Sequence, residues 1–393
     1  MRDLYFILLV ICLLPQVVLA ADIVGGVAGT LTVKNSIIYN DLKFKQIGSN
    51  VSISNSAVRG STPPNGGGNL LFSNTGFKDV VVPTNTLSYY LLPLSSLVNK
   101  GINISYLSLK DINGNDRTYD GTVDIGAVEY SMITKNPVSN WTTASDWRIG
   151  RVPTIDDIVT IRTATQVATT NAVCKKILAI ESGASLTVNA GMQLVVSETI
   201  TNTDANRLIV KSSSSEPNGS LFFQNTSANP VYATVEMFSK SNYDLSRPAN
   251  NRYNWQFFGI PVEDIPANPT FYGAYVRIRL EEGTDTTKHW VSLTNSSIVR
   301  PFLGYQICYA TPRKVLFSGK LVNRNYDSGQ LPKSSGAGVL YAGQHLLANP
   351  YTAAIDIKKI EFGSGMEKTV YLYNTGSFDD WKKNTSKQGG SPG

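Results

Sequence analysis

A stretch of ten residues repeats after twenty. Leu31-Thr-Val-Lys-Asn-Ser-Ile-Ile-Tyr-Asn40 aligns with Val51-Ser-Ile-Ser-Asn-Ser-Ala-Val-Arg-Gly60, and Asn35-Ser36 falls on Asn55-Ser56. A weaker third copy begins at Leu70, 19 residues after Val51. Each copy alternates apolar and polar residues and then turns. A repeat of about 20 residues is one rung of a parallel β-helix, whose strands cannot bury their apolar side alone and must stack. The repeat predicts one buried column of Leu31, Val33, Val51 and Ile53, with the equivalent turn asparagines hydrogen-bonding along the stack. So few copies make a short parallel β-helix stub, placed at residues 22–131.

After the repeat come Phe77-Lys-Asp-Val-Val-Val, a Tyr-rich run from Leu87 to Gly101, Asp111-Ile-Asn-Gly-Asn-Asp-Arg117, and Gly121-Thr-Val-Asp-Ile-Gly-Ala-Val-Glu-Tyr130. The series resembles the C-terminal end of the secreted right-handed β-helix proteins called choice-of-anchor Q domain proteins, most specifically at Asp124 to Tyr130. The resemblance implies the terminal rungs and cap of a parallel β-helix. That family carries many rungs upstream, whereas here an apolar leader intervenes almost at once.

A second segment opens on Asn140-Trp141, Trp147 and Val152-Pro153. Leu178, Leu186 and Leu194 then follow at steps of eight, as do Gly183 and Gly191. Alternation within each unit marks one buried face, and Gly or Asn marks each turn. This predicts a small β-solenoid-like module at residues 132–228. From residue 229 to 380, short strands with mixed spacing and Gly, Pro and Asn turns predict a C-terminal β-sandwich. Asn254-Trp-Gln-Phe-Phe-Gly-Ile-Pro261 and His345-Leu-Leu-Ala-Asn-Pro-Tyr351 resemble paired motifs of Bacteroidetes-type secreted modular surface proteins. The stretch from Trp141 to Pro153 and the Leu-Thr-Val-Asn-Ala-Gly units share that likeness. Residues 381–393 are polar, Gly-rich and patternless, as a disordered tail is. Chains of that class often end in a sorting domain, and none is visible in the sequence.

Residues 1–21 read as a secretory signal peptide. Arg2 supplies a weak positive start, Leu4 to Leu14 is an unbroken apolar run, Pro15 breaks it, and Ala20 stands at a small-residue cleavage site. Ile11 before Cys12 is too bulky for a lipid-anchor signal. No other stretch is long enough to span a bilayer as a helix, so the mature chain is expected to be exported from a bacterium, secreted or held at its outer surface. Cys174 and Cys308 then remain, and two separate buried thiols fit their apolar contexts better than a disulfide.

Composition narrows the function. Charged residues are 16% of the chain, and the net charge of +6 is spread without a basic block, which argues against nucleic acid. Two histidines exclude a His-rich metal centre. Asp111-Ile-Asn113-Gly-Asn115-Asp116 alternates oxygen ligands as a calcium loop does, but lacks glycine at the sixth position and an acid at the twelfth. Asp120, Asp124 and Glu129 read as solvated acids of a closing strand. His289 and His345 have no nucleophile motif beside them, and a surface or core-edge role is their expected use.

Aromatic residues offer the remaining site. Trp141, Trp147, Trp255, Trp290, Tyr253, Tyr272 and Tyr275 have the apolar face and polar handle that stack on sugars. Packing at module junctions is the expected role of Trp147 and Trp255. Trp290, Tyr272 and Tyr275 are the candidate ligand-binding residues, with Trp290 the foremost candidate for an exposed aromatic. The chain is read as an all-β, exported, non-enzymatic surface protein without cofactor, acting as an adhesin-like or structural scaffold. The alternative is a carbohydrate-binding accessory module of a polysaccharide-processing system. Its partner would be an extracellular glycan or protein, and open sheet edges predict self-association.

Overall fold

In the computed structural model the described residues are 31–35, 37–38, 51–59, 67–72, 91–92, 95–103, 110–111, 116–118, 122–126, 128–249, 252–281, 289–334 and 342–370. The expected signal peptide (1–21) and tail (381–393) lie outside them. The chain divides into two compact units, residues 1–132 with 148–151, and residues 133–147 with 152–393. The architecture is all-β; helix is confined, among the described residues, to a four-residue turn at Ala267–Thr270 and short 3-10 turns. None of the described helices is long and apolar enough to cross a membrane.

The first unit contains β1 (Leu31–Lys34), β2 (Ile37–Ile38), β3 (Val51–Ser54), β4 (Ala57–Arg59) and β5 (Leu70–Phe72). β1 and β3 pair in parallel with Leu31 opposite Val51 and Val33 opposite Ile53, the register the repeat predicts. The third copy is different. Leu70 lies opposite Ala57, so β5 extends the second strand of the rung (β2-β4-β5) and not the first. Asn35 and Asn55 take left-handed φ values of 51° and 47°, a conformation that Asn tolerates better than most residues. The side chain of Asn35 accepts from Ile102 N and donates to Ile102 O, both at 2.7 Å, so it fastens a distant segment and not its repeat partner. Between neighbouring copies, Asn69 Oδ1 accepts from Ser56 N at 3.1 Å. Ala57, Leu91, Leu97 and Ile125 form the buried core beneath.

The second unit begins as a parallel solenoid of about four turns. Its strands are β6 (Met132–Ile133), β7 (Val138–Asn140), β8 (Ile158–Ile161), β9 (Ala164–Val167), β10 (Ala172–Cys174), β11 (Lys176–Ile180), β12 (Ser185–Val188), β13 (Gln193–Val196), β14 (Leu208–Val210), β15 (Ser220–Phe222) and β16 (Tyr232–Ser239). They fall on three sheets: β6-β8-β11, β7-β9-β12-β14-β16 and β10-β13-β15. Val138 pairs with Ala164, Ala164 with Ser185, Leu186 with Leu208 and Ile209 with Thr234, so a turn takes 21 to 26 residues. The eight-residue step of the sequence is therefore one side of a three-sided turn. β11, β12 and β13, which carry the three leucines, lie in three different sheets.

Inward positions stack in register. Val167, Val188 and Val210 form one column, and Thr165, Leu186 and Leu208 another, all at most 2% exposed. Burying such a side chain contributes about 1.5–3 kcal/mol. Leu178 breaks the eight-residue phase. A register shift between Ile177 and Ala179 turns Ile177 and Ile180 inward and leaves Leu178 half-buried. Trp141 and Trp147, both fully buried and edge-to-face at 5.2 Å, pack beside β7. Trp147 Nε1 donates to Trp141 O at 2.8 Å, and Asp146 Oδ2 accepts from Asn140 N at 2.7 Å.

The remaining strands are β17 (Asn242–Tyr243), β18 (Tyr253–Asn254), β19 (Gln256–Phe258), β20 (Ile265–Pro266), β21 (Tyr275–Arg279), β22 (Trp290–Ser292), β23 (Ile298–Val299), β24 (Tyr305–Cys308) and β25 (Arg313–Lys320). β16 pairs in parallel with β14 on one edge and antiparallel with β25, over its full length, on the other. A four-stranded antiparallel sheet, β19-β24-β21-β22, forms the second layer. Phe258 from this layer stacks on Phe317 of β25, Tyr305 packs against Phe258, and Phe271 touches both Phe258 and Phe317. Thr352 finishes the third solenoid sheet: its carbonyl accepts from Leu221 N at 3.0 Å, and its hydroxyl donates to Leu221 O at 2.6 Å.

The inward phase predicts unequal costs for one substitution. Leu208→Ala should lower stability by about 2–5 kcal/mol through lost burial and a cavity, whereas Leu178→Ala at the bulge should cost about 1 kcal/mol or less. Urea unfolding followed by tryptophan fluorescence measures both.

Candidate functional site

The two motifs read as a pair in the sequence meet in space. Leu346 to Ala348 lies along the ends of β19 and β24: Gly304 N donates to Leu346 O at 2.9 Å and Ala348 N to Phe302 O at 2.8 Å. Only glycine permits this approach. A Cβ on Gly259 would lie 2.2 Å from Ala348 Cβ, and one on Gly304 2.4 Å from Leu346 Cγ. Beyond the crossing, Asn349 shapes the Asn-Pro-Tyr turn by donating to Ala353 O and accepting from Tyr351 N.

This framework fixes the outward face of the four-stranded sheet. Phe257 lies opposite Gln306, Gln306 opposite Arg277, and Arg277 opposite Ser292. Strand alternation puts these side chains on the face opposite Phe258, Tyr305 and Ile278. The Arg277 guanidinium lies between two indoles, 4.0 Å from the Trp255 ring centre and 4.7 Å from that of Trp290. Its Nε donates to Gln306 Oε1 at 2.6 Å. Burial pushes the guanidinium pKa below its ordinary value. Trp255 stacks on Tyr253 at 5.4 Å, and Tyr275 meets both Tyr253 and Tyr243 edge-on. Trp290 also faces Phe257 at 6.3 Å.

The structure thus joins Trp290 and Tyr275 in one strip through Arg277, Trp255 and Tyr253. Tyr275 is 46% exposed and Trp290 half-buried. Tyr272 stands at the turn before β21, 78% exposed and outside the strip's ring contacts. Arg277, the centre of the arrangement, was not singled out by the sequence. The only signal was alternation in Tyr-Val-Arg-Ile-Arg, which places Tyr275 and Arg277 on one face.

His289 is buried and not at the surface. Its ring lies in a network with Arg279, Glu281 and Ser334. Arg279 Nη2 donates to Glu281 Oε2 at 2.8 Å, and Glu281 Oε1 accepts from Gly343 N at 2.5 Å. Burial raises the Glu281 carboxyl, but the hydrogen bonds from Gly343 and Ser334, with Arg279, outweigh it and hold the group below the usual carboxylate range. Ser334 Oγ lies 3.5 Å from His289 Nε2, and Glu281 Oε2 4.0 Å from Nδ1, an order reminiscent of a nucleophile–base–acid chain. Arg279 Nη1, however, lies 3.2 Å from Nδ1. A guanidinium only donates, so this contact is a hydrogen bond in the tautomer whose proton is on Nε2, facing the serine. In that tautomer the imidazole has no lone pair for the hydroxyl proton. His345 Nε2 contacts Pro332 O at 2.8 Å and stands apart from this network's imidazole.

In the first unit the acids are buried, which corrects the reading of Asp124 and Glu129 as solvated. Each is 1% exposed. Asp124 accepts from Asn99 N and Tyr130 N, both at 2.6 Å, and Glu129 Oε2 accepts from Asp124 N at 3.0 Å. Asp111 Oδ2 accepts from Glu129 N at 3.2 Å, while Asp116 pairs with Lys110. Asp120 lies outside the described residues, as do positions 112–115. The carboxyl groups thus accept from backbone N–H groups of the same segment. Burial, and next the Asp124 charge, push Glu129 up to about 8. Cys174 and Cys308 are both free and buried. Burial raises the Cys174 thiol and pushes Cys308 up to about 11.

A family model described as "Domain of unknown function (DUF8693)" matches residues 133–387. The chain belongs to this family. The match takes in the solenoid, the Gly259 and Gly304 crossing and the aromatic strip. Over 281 residues the chain is 32% identical to minor fimbrium subunit Mfa5 of Porphyromonas gingivalis, an alignment covering 64% of this chain. The chain spans 22% of that relative's length. No solved structure matches.

Two outcomes follow. Gly259→Ala should destabilise the second unit by about 1–3 kcal/mol through overpacking against Ala348, read from urea unfolding. Glu129 keeps its proton in the folded unit after the unfolded chain has lost it, so its contribution is full below pH 4.5 and is lost as pH rises to about 8. Amide exchange across residues 95–130 should therefore quicken over that window relative to Glu129→Gln, which removes the titration.

Proposed function

We propose that the chain is an exported surface protein of a fimbria-associated kind, acting by presentation and not by turnover. The likeness to a minor fimbrium subunit carries this reading. The architecture supports it. A stacked parallel solenoid is stiff because each strand is held by ladders on both sides, and its longest sheet runs through β16 into the sandwich. Loops and sheet faces at the far end are then held in place for a partner. The first unit serves as the terminus of a choice-of-anchor Q type β-helix, in keeping with its parallel ladder and the burial of Asp124, Ile125, Val128 and Glu129.

The chain assembles with copies of itself or with other surface subunits. β7 lies at the edge of the longest sheet, with Val138 68% exposed, and such an edge accepts a further strand. Antibody raised against the folded chain should label intact cells of the source bacterium, and the chain should come off with sheared surface filaments. Purified chain should show species larger than a monomer by light scattering. Retention inside intact cells, inaccessible to antibody and protease, would overturn the reading.

A further inference from the structure

The outward face of the four-stranded sheet holds a cation, Arg277, set among aromatic rings. Several cations of the second unit reach carboxylates: Arg279 to Glu281 at 2.8 Å, Lys314 to Glu236 at 2.8 Å, Arg324 to Glu263 at 3.2 Å and Arg300 to Asp264 at 3.5 Å. Arg277 has no carboxylate partner among the described residues. The Trp255 and Trp290 ring centres lie 4.0 and 4.7 Å from its guanidinium carbon, and Gln306 takes its Nε–H. What remains is the edge that carries Nη1 and Nη2. Those two nitrogens form a planar fork that matches the two oxygens of a carboxylate. The stacking holds the side chain in place beforehand, so little rotamer freedom is left to lose on binding.

The surroundings specify what bears that carboxylate. Tyr275, 46% exposed, and the half-buried Trp290 and Tyr253 present ring surface beside the fork. A sugar ring lays its C–H face on such surfaces while its hydroxyls meet polar side chains. An acidic amino-acid side chain satisfies the fork but brings no ring to these platforms. We propose that Arg277, bordered by Trp255, Trp290 and Tyr275, binds a carboxylate-bearing sugar residue of an acidic glycan. The site rests on the surface-display reading, since such polymers are met outside the cell, and it supplies that reading with a partner.

Calorimetry on the full chain tests it with trigalacturonic acid and sialyllactose, each beside its methyl ester. At least one acid should bind, at least tenfold more tightly than its ester, and added salt should weaken it. Arg277→Met keeps an unbranched chain between the indoles and should lose at least tenfold. Tyr275→Ala, at an exposed position, should lose severalfold while the chain stays folded by circular dichroism, so the site is tested even if Arg277→Met unfolds. Equal affinity for acid and ester, no binding of either acid, or an acidic peptide binding as tightly as the sugar would overturn the proposal. Failure here with the chain still labelled on intact cells removes this site alone. Binding by a chain that never reaches the surface instead removes the display reading.

Discussion

Strand β16 has neighbours of opposite sense on its two edges, and the second unit is organised around that fact. A parallel solenoid can continue indefinitely, because its last strand always exposes a row of N–H and C=O groups. Here β25 takes up that row antiparallel, from Tyr232 opposite Lys320 to Ser239 opposite Arg313. The pairing ends the stack and at the same time carries Phe317 onto Phe258 and Phe271 of the second layer. Capping the solenoid and founding the sandwich are one event.

Both families of buried charge serve the backbone before they serve anything else. Asp111, Asp124 and Glu129 accept from main-chain N–H groups in a segment without regular ladders. Glu281 does the same for Gly343 and Ser334 while holding Arg279. Arg277 is arranged differently. Its partners are two indoles and one amide, none of which neutralises it. Arg279 is paired with a carboxylate, whereas Arg277, two residues earlier on the same strand, has no carboxylate partner among the described residues, which sets the aromatic strip apart from the structural networks.

Much of the architecture was legible because solenoids write their geometry into the chain. The twenty-residue repeat returned the observed register of β1 and β3, and the short alternating units of the second module belong to a stacked β-structure. Two details are beyond an apolar pattern for a common reason. Leu70 aligns by that pattern with Val51 but pairs at Ala57, and the step of eight does not say that the three leucines lie in three different sheets. A period-two pattern tells which side of a strand faces in. It carries no mark of which sheet the strand joins. The solvated acids were misread because alternation cannot show whether a later segment folds over them.

The amino-acid order alone determined that this is a stacked, all-β chain with Gly and Asn at its turns, since those requirements are local: alternation, left-handed turn residues and repeat length. Tertiary structure decided which strands share a sheet, that Asp124 and Glu129 are enclosed, and that Arg277 lies between Trp255 and Trp290. These depend on residues far apart in sequence. Trp255 and Trp290 stand 22 and 13 residues from Arg277 in opposite directions, and only the pairing of β19, β24, β21 and β22 brings their rings onto it.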